Sequence, residues 1–263
     1  MNLFAYDPST LLSFLLTLFR ISVVLFLMPF FGGQGLPNTV KAALLIVLTL
    51  AVWPSLAFPG NLFPMDYWNL AVMLLGELLL GLTLGLVIRF LFAAVQTGGQ
   101  IIGFQMGFAM VNVVDPDTGV SEAVTSHFLY MCSMLVFLAL DGHLYLIKGL
   151  ASTFRMVPPG QLFLSPTLTR QIFDFSGQMF FLAVKIAAPI IASLFLVDLS
   201  LALISKSAPQ MHVLVLGFPI KLAVGFLFLT LLFQILSMVI TDYVQGLDAV
   251  FMNMLQAMRP PSP

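Results

Sequence analysis

The chain has 263 residues, of which 60% are hydrophobic and 8% charged, and its mean hydropathy is +1.07. Soluble domains contain roughly 25% charged residues, so this composition predicts a protein that lies in or against a membrane. The formal net charge of −1 argues against nucleic-acid binding, and the single cysteine, Cys132, excludes an intrachain disulfide.

Long apolar runs, separated by glycine-rich and proline-rich breaks, predict an all-α polytopic membrane protein. The start of the chain has no basic residue and no cleavage signal, so we expect the amino terminus to be retained. The first run, 11–31, is long enough to span a membrane and is interrupted by Arg20. The second run, 42–58, is short for a span.

The third run, 68–95, contains Glu77 and Arg89. About 18 Å of helix rise and about 120° of rotation separate these two residues, so they cannot pair on one straight helix. Each therefore needs a partner elsewhere, on this chain or on another.

Glycines recur at a spacing of four in the third run and again just after it. Such spacing predicts helix surfaces where another backbone can come close. These helix-packing glycines are Gly81, Gly85, Gly99 and Gly103. The third run continues into Gly99 and Gly103 without a breaking residue. The helix therefore either breaks at Gly98–Gly99 or projects out of the bilayer.

An apolar loop with a turn signal at its end follows these glycines. It comprises Met106, Gly107, Phe108, Ala109, Met110, Val111, Asn112, Val113, Val114, Asp115 and Pro116, and is called here the 106–116 loop. A loop in water should not be this apolar, and a spanning helix should not contain this turn, so we expect a narrow and mostly dry space around it. The alternative is an ordinary loop between two spans, with some helix packing.

Three further runs cover 123–147, 180–204 and 213–240. Residues 141–143 disturb the fourth run, and the fifth contains Lys185, Asp198 and Pro189, at which we expect a kink. A polar connection at 205–210 joins the fifth run to the sixth.

The final segment, 242–258, repeats apolar residues at heptad-like spacing. These residues are Val244, Leu247, Phe251, Met254 and Met258. Helices that bind a membrane surface usually present Lys or Arg on their polar face, which is not the case here. The pattern therefore favours packing against a partner helix, and the alternative is a fraying terminal helix.

The sequence contains no metalloprotease, nucleophile-elbow or phosphate-loop motif, so we expect no enzyme activity and no cofactor or metal site. Glu77, Arg89, Lys185 and Asp198 are predicted to be buried charges. They are consistent with a proton or ion relay in a secondary transporter, or with pairing between helices. Pairing is favoured because no inverted repeat or matched pair of broken helices is visible.

Two motifs resemble those of the FliR family, the flagellar member of the type III secretion export gate. The first is GFQMGFAMVNVVDP at 103–116. The second is ALISKSAPQMHV at 202–213, followed by LGFPIK at 216–221. Both motifs occur in the family's order, and the resemblance covers essentially the whole chain.

The resemblance implies a membrane protein of long helical hairpins within a helical export-gate assembly in the bacterial inner membrane, at the flagellar basal body. It implies one FliR-like domain over 1–263, with a FliP-like part at 1–165 and a FliQ-like hairpin and tail at 166–263. The 106–116 loop would act as a channel plug. The partner-facing hairpin tip would comprise Lys206, Pro209, Gln210, Gly217, Pro219 and Lys221.

The same resemblance implies partners and a function. The partners would be FliP-like and FliQ-like gate subunits, FlhB-like and FlhA-like components, unfolded flagellar export substrates and membrane lipid. The chain would then be a channel-forming subunit that passes unfolded flagellar proteins across the inner membrane. A secondary transporter with an intramembrane charge relay is the alternative.

Overall fold

The computed structural model describes residues 8–32, 37–56, 67–108, 124–208 and 213–259. Within these ranges all regular elements are α-helices, which confirms the predicted all-α membrane architecture. The helices are α1 (Pro8–Leu27), α2 (Pro29–Gly32), α3 (Asn38–Leu56), α4 (Tyr67–Met106), α5 (Val124–Ala139), α6 (Gly142–Met156), α7 (Pro166–Ser207) and α8 (Val213–Ala257).

Helices α1, α4, α7 and α8 are the four in the described ranges that are long and apolar enough to cross a membrane by themselves. A fifth span results if α5 and α6 cross together, although they meet at a bend of 67°. The apolar part of α3, Asn38–Pro54, is shorter than these spans, as the sequence indicates.

Helix α4 is continuous over 40 residues and passes through Gly98 and Gly99 without a break. At 1.5 Å per residue it is about 60 Å long, which exceeds a hydrocarbon core of about 30 Å. Of the two alternatives for this run, the long unbroken helix is therefore the observed one. Helix α7 likewise continues through Pro189.

The predicted disturbance of the fourth run is the break between α5 and α6. Asp141 adopts a left-handed backbone conformation with φ 56°, and Gly142 begins α6. Asp is one of the few residues that tolerate this conformation, because its short polar side chain can form local hydrogen bonds. The residue types at this position thus specify the turn that separates the two helices.

The chain divides into two compact units. The first unit comprises 1–90, 141–175 and 245–263, and the second comprises 91–140 and 176–244. Three of the four boundaries fall inside the continuous helices α4, α7 and α8, and the fourth falls between α5 and α6. The division of the chain near residue 165 into FliP-like and FliQ-like parts stays a prediction.

In the first unit, α1 packs on α3. The carboxy-terminal end of α8 packs on α6. Trp53 of α3 lies edge-on to Phe14, with ring centroids 5.7 Å apart, and its Nε1 donates to Ser13 Oγ at 3.2 Å. The heptad-like residues of the final segment are all buried. Phe251, one of them, contacts the surface at Gly149, so the predicted partner helix is α6 of the same chain.

Candidate functional site

The 106–116 loop begins at a helix end that its own residues specify. Gly107 has φ 93°, a backbone conformation that glycine adopts at low cost. Its N–H donates to Phe104 O at 3.1 Å, and the N–H of Phe108 donates to Gly103 O at 3.0 Å. This pair of hydrogen bonds is the Schellman arrangement, which satisfies the last carbonyls of a helix. The glycine therefore ends α4 at Met106.

The beginning of the loop packs against α8 within the second unit. Met106 is fully buried, and a β-carbon added at Gly225 would lie 2.6 Å from the Met106 methyl carbon. The rings of Phe108 and Phe226 meet edge to face, with centroids 6.5 Å apart. Because aromatic pairs favour this geometry, Phe108 holds the first residues of the loop against α8.

The other predicted residues of the 106–116 loop lie outside the described residues. These are Ala109, Met110, Val111, Asn112, Val113, Val114, Asp115 and Pro116. Pro209 and Gln210 of the predicted hairpin tip also lie outside them.

A polar contact joins α4, α7 and α8 close to this helix end in sequence. Lys221 Nζ lies 2.5 Å from Asp198 Oδ1, and Gln105 Nε2 donates to Asp198 Oδ2 at 3.4 Å. Both charged side chains are partly exposed, at 26% for Lys221 and 38% for Asp198. Asp198 is therefore partly buried, and its partner Lys221 is a residue that the resemblance to the FliR family places in the hairpin tip.

The remaining residues of the hairpin tip occupy different environments. Lys206 and Pro219 are exposed, whereas Gly217 is buried. A β-carbon added at Gly217 would lie 3.2 Å from a methyl carbon of Leu201, so α7 and α8 approach each other closely there. The proposed role of the tip in contacting a partner protein stays a prediction.

Glu77 is buried, as the sequence predicts, and Arg20 of α1 is its partner. Arg20 Nη2 donates to Glu77 Oε1 at 2.6 Å, and Arg20 Nε donates to Oε2. In the sequence, Arg20 stands out only as an interruption of the first apolar run. Its signal was available, because a lone arginine inside an apolar run requires a carboxylate or other polar partner.

Arg89 and Lys185 are exposed on the single chain, so the prediction that they are buried is not met within this chain. The structure thus separates the four predicted charges into two groups. Glu77 and Asp198 have cationic partners within the chain, and the two cations lie on exposed helix faces.

The helix-packing glycines lie at close approaches between helices. β-Carbons added at Gly81 and Gly85 would overlap Val23 and Leu27 of α1, respectively. A β-carbon at Gly99 would lie 2.6 Å from Ser126 Cα of α5. Gly103 is buried.

Hydroxyl groups reinforce the contact between α4 and α5. Thr125 Oγ1 donates to Gly99 O at 2.8 Å, and Ser126 Oγ donates to Gln96 O at 2.9 Å. Small residues and interhelical hydrogen bonds are the usual means by which membrane helices associate. In the part of the chain that the structure describes, no group of three or more His, Cys, Asp and Glu side chains could hold a metal ion.

Comparison with known proteins gives consistent matches along the chain. The family described as "Bacterial export proteins, family 1" matches residues 11–247. The flagellar biosynthetic protein FliR of Bacillus subtilis (strain 168) is 32% identical over 235 residues, covering 88% of this chain and 89% of the relative. FliR of Escherichia coli (strain K12) is 33% identical over 208 residues, or 79% of each chain.

A relative named for the translocation of Yop proteins also matches. The Yop proteins translocation protein T of Yersinia pestis is 29% identical over 226 residues, covering 84% of this chain and 85% of the relative. The match to the family extends over all the helices that form the site described above, from α1 to most of α8. The chain therefore belongs to the bacterial export proteins of family 1, and within them to the FliR family.

Proposed function

We propose that the chain is a channel-forming subunit of the type III protein export apparatus of the bacterial flagellum. Its place in a flagellar or type III export apparatus is supported by the family match and by the names of the relatives. In this proposal, unfolded flagellar proteins pass through the channel across the inner membrane at the basal body. The chain acts there with FliP-like and FliQ-like subunits and with FlhB-like and FlhA-like components.

The observation that carries the proposal is the way in which the 106–116 loop begins. Gly107 ends α4 abruptly, while Met106 and Phe108 are held on α8 by Gly225 and Phe226. A loop with one fixed end can occupy a defined space and can still be displaced further along its length. These are the properties that a removable seal requires.

The composition of the loop suits a seal against ions. Methionine, phenylalanine and valine exclude water, and methionine is flexible enough to fill an irregular space. The 106–116 loop contains all three of these residue types, together with Gly107 and Ala109. Apolar packing needs neither a metal nor a covalent bond, so a passing polypeptide can replace it contact by contact.

A secondary transporter with a charge relay receives less support from the geometry. A relay needs titratable groups that exchange protons with one another. Glu77 is instead held by two hydrogen bonds from Arg20, and Asp198 is held by Lys221 and Gln105. Uphill solute uptake into liposomes by the purified chain is the result that would favour this alternative.

The test of the channel proposal replaces 108–113 with Gly and Ser in cells that produce the export apparatus. We expect the complex to assemble, small ions to leak, and export of flagellar proteins to persist or to fall modestly. Phe108→Ser should give a weaker leak. The matched control is Phe128→Ser, since Phe128 also makes an edge-on contact with an α8 ring, that of Phe233, with centroids 5.8 Å apart.

Ion leakage is measured in cells, and assembly is checked by purification of the complex. A replaced loop that remains as tight to ions as the parent, in an assembled complex, removes the loop as a principal seal. Equal leakage from Phe128→Ser would show that loss of any ring contact on α8 opens the assembly, which also contradicts the proposal.

A further inference from the structure

A polar cavity lies between the beginning of α7 and the end of α8, within the first compact unit. Its volume is about 460 Å³, which lies in the range of about 300–1,000 Å³ typical of small-molecule sites. The N–H of Phe163 donates to Met258 O at 3.0 Å and holds the loop before α7 beside the end of α8. The polar side chains that line the cavity include those of Thr167, Gln171, Asn253, Gln256 and Arg259.

This end of the first unit has a surplus of positive charge. Residues 142–173 and 249–263 contain no aspartate or glutamate. Their lysine and arginine residues are Lys148, Arg155, Arg170 and Arg259. Lys148 pairs with Asp248, whereas the three arginines form no ion pair within the described residues. The first turn of α7 also has no acidic side chain to offset the positive end of the helix dipole. The charge around the cavity therefore favours an anion as its occupant.

Gln171 indicates that the occupant also donates a hydrogen bond. Its Oε1 is buried, and it has no hydrogen-bond partner within the described residues. A buried acceptor without a donor is costly, so proteins usually satisfy it with a protein group, a water molecule or a ligand. The amides of Asn253 and Gln256 and the guanidinium of Arg259 can in turn donate to an anion. The lining thus suits a molecule that has both a negative charge and a donor.

The cavity lies at the depth of lipid headgroups when α7 crosses a membrane. Helix α7 is among those long and apolar enough to do so. Its apolar stretch between Asp174 and Asp198 is about 36 Å long, which is sufficient for a hydrocarbon core of about 30 Å. Thr167 and Gln171 lie about 5–10 Å beyond Asp174 along the same helix. The layer of headgroups begins at this distance from the apolar core.

Exposed apolar side chains beside the cavity favour a lipid over a soluble anion. Phe163 lines the cavity and is 42% exposed, and the next residue, Leu164, is 59% exposed. Large apolar residues next to arginine are typical of segments that bind a membrane surface. An inorganic phosphate ion would leave both side chains in water, whereas the glycerol and acyl groups of a phospholipid can cover them.

We propose that this cavity binds the headgroup of an anionic phospholipid. The phosphate lies against Arg259 and the beginning of α7, since arginine and helix N-termini both donate well to phosphate. A hydroxyl group of the headgroup donates to Gln171 Oε1. Phosphatidylglycerol combines a phosphate with such hydroxyl groups. The inference rests on the membrane insertion of α7 and is independent of the closing role proposed for the 106–116 loop.

The first test measures lipid bound to the full-length chain in detergent by native mass spectrometry. Phosphatidylglycerol should bind at least about tenfold more tightly than phosphatidylcholine, whose headgroup has no net charge and no hydrogen-bond donor. Arg259→Glu should lower the affinity for phosphatidylglycerol by about tenfold or more, whereas Arg259→Lys should retain a large part of it. Arg155→Glu reverses an exposed charge outside the lining of the cavity and should bind like the parent.

Two further variants test the cavity without changing its charge, and thermal unfolding checks that each is folded. Gln256→Trp fills part of the cavity and should lower the affinity for phosphatidylglycerol. Gln161→Trp is its control, because Gln161 is exposed on the preceding loop and does not line the cavity. Gln171→Leu removes the unpaired oxygen, so it should weaken the binding of phosphatidylglycerol but not that of phosphatidylcholine.

Two results would overturn the proposal. Parental affinity for phosphatidylglycerol in both Arg259→Glu and Gln256→Trp would mean that the lipid binds elsewhere on the chain. Displacement of phosphatidylglycerol by an equal concentration of inorganic phosphate would assign the cavity to the free ion instead of a lipid headgroup.

Discussion

Arg20 of α1 and Glu77 of α4 form a two-point ion pair in the interior of the first compact unit, with exposures of 1% and 2%. Arg20 also reaches the end of α6, where its Nη1 donates to Thr153 Oγ1 at 3.4 Å and to the carbonyl oxygen of Val157, the residue after the helix, at 3.1 Å. The guanidinium lies 4.7 Å from the centroid of the Phe154 ring. The planar fork of arginine can satisfy all of these groups at once, so one side chain fastens three helices.

We expect Glu77→Ala to lower the free energy of unfolding by about 3–5 kcal/mol, because it leaves the Arg20 charge buried and uncompensated. The measurement is thermal unfolding of the purified complex in detergent. The double variant Glu77→Met with Arg20→Met removes both charges, and it should recover a large part of the loss.

The exposed ion pair between Lys148 and Asp248, 2.6 Å apart, provides the control for this prediction. Because both side chains are in contact with solvent, Lys148→Ala should leave the unfolding temperature nearly unchanged. If Glu77→Ala were as stable as Lys148→Ala, the buried ion pair would stabilise the fold no more than the exposed pair does.

Two glycine substitutions separate the effect of helix packing from that of helix propensity. A β-carbon at Gly99 would lie 2.6 Å from Ser126 Cα, which is backbone and cannot move cheaply, so Gly99→Ala should cost about 1–3 kcal/mol. At Gly177 nothing lies within 4 Å, so Gly177→Ala should be neutral or stabilise by about 0.5–1 kcal/mol. Thermal unfolding of both variants checks this difference, and equal effects would contradict it.

The contact between Met106 and Gly225 predicts a change in the mobility of the loop start. Gly225→Ala should displace the Met106 side chain and increase amide hydrogen exchange at 104–108, with ion leakage above the parental level. Since overpacking causes the change, adding Met106→Ala should reverse part of the increased exchange. Gly246→Ala, where the added β-carbon meets nothing within 4 Å, is the control.

Charge reversal tests the contact between Asp198 and Lys221. Lys221→Asp places two carboxylates together at the junction of α4, α7 and α8, and should destabilise it by about 1 kcal/mol, as expected for a partly exposed pair. The double variant Asp198→Lys with Lys221→Asp exchanges the two charges, and it should be more stable than either single variant. Failure of the swap to improve on the single variants would show that the two side chains do not act as a pair.

Local features of the sequence determined where helices begin, bend and end. Gly107 ends α4, because its left-handed backbone conformation is costly for other residues. Residues 141–143 indicated the bend between α5 and α6, because they interrupt the apolar run. The long apolar runs specified the spans, since hydrophobic length alone decides whether a helix can cross a membrane. The two motifs at 103–116 and 202–221 identified the family.

Only the tertiary structure decided which side of each helix faces a neighbour. Glu77 pairs with Arg20, which lies 57 residues earlier in the chain. No local feature of the sequence identifies a partner so far from Glu77 along the chain. Gly98 and Gly99 remain helical where sequence alone allowed a break, because α7 and α5 pack close against them. Lys185 is exposed while the next residue, Ile186, is fully buried. In helices that are apolar all round, hydrophobicity does not distinguish the faces, so packing between helices decides which side chains are covered.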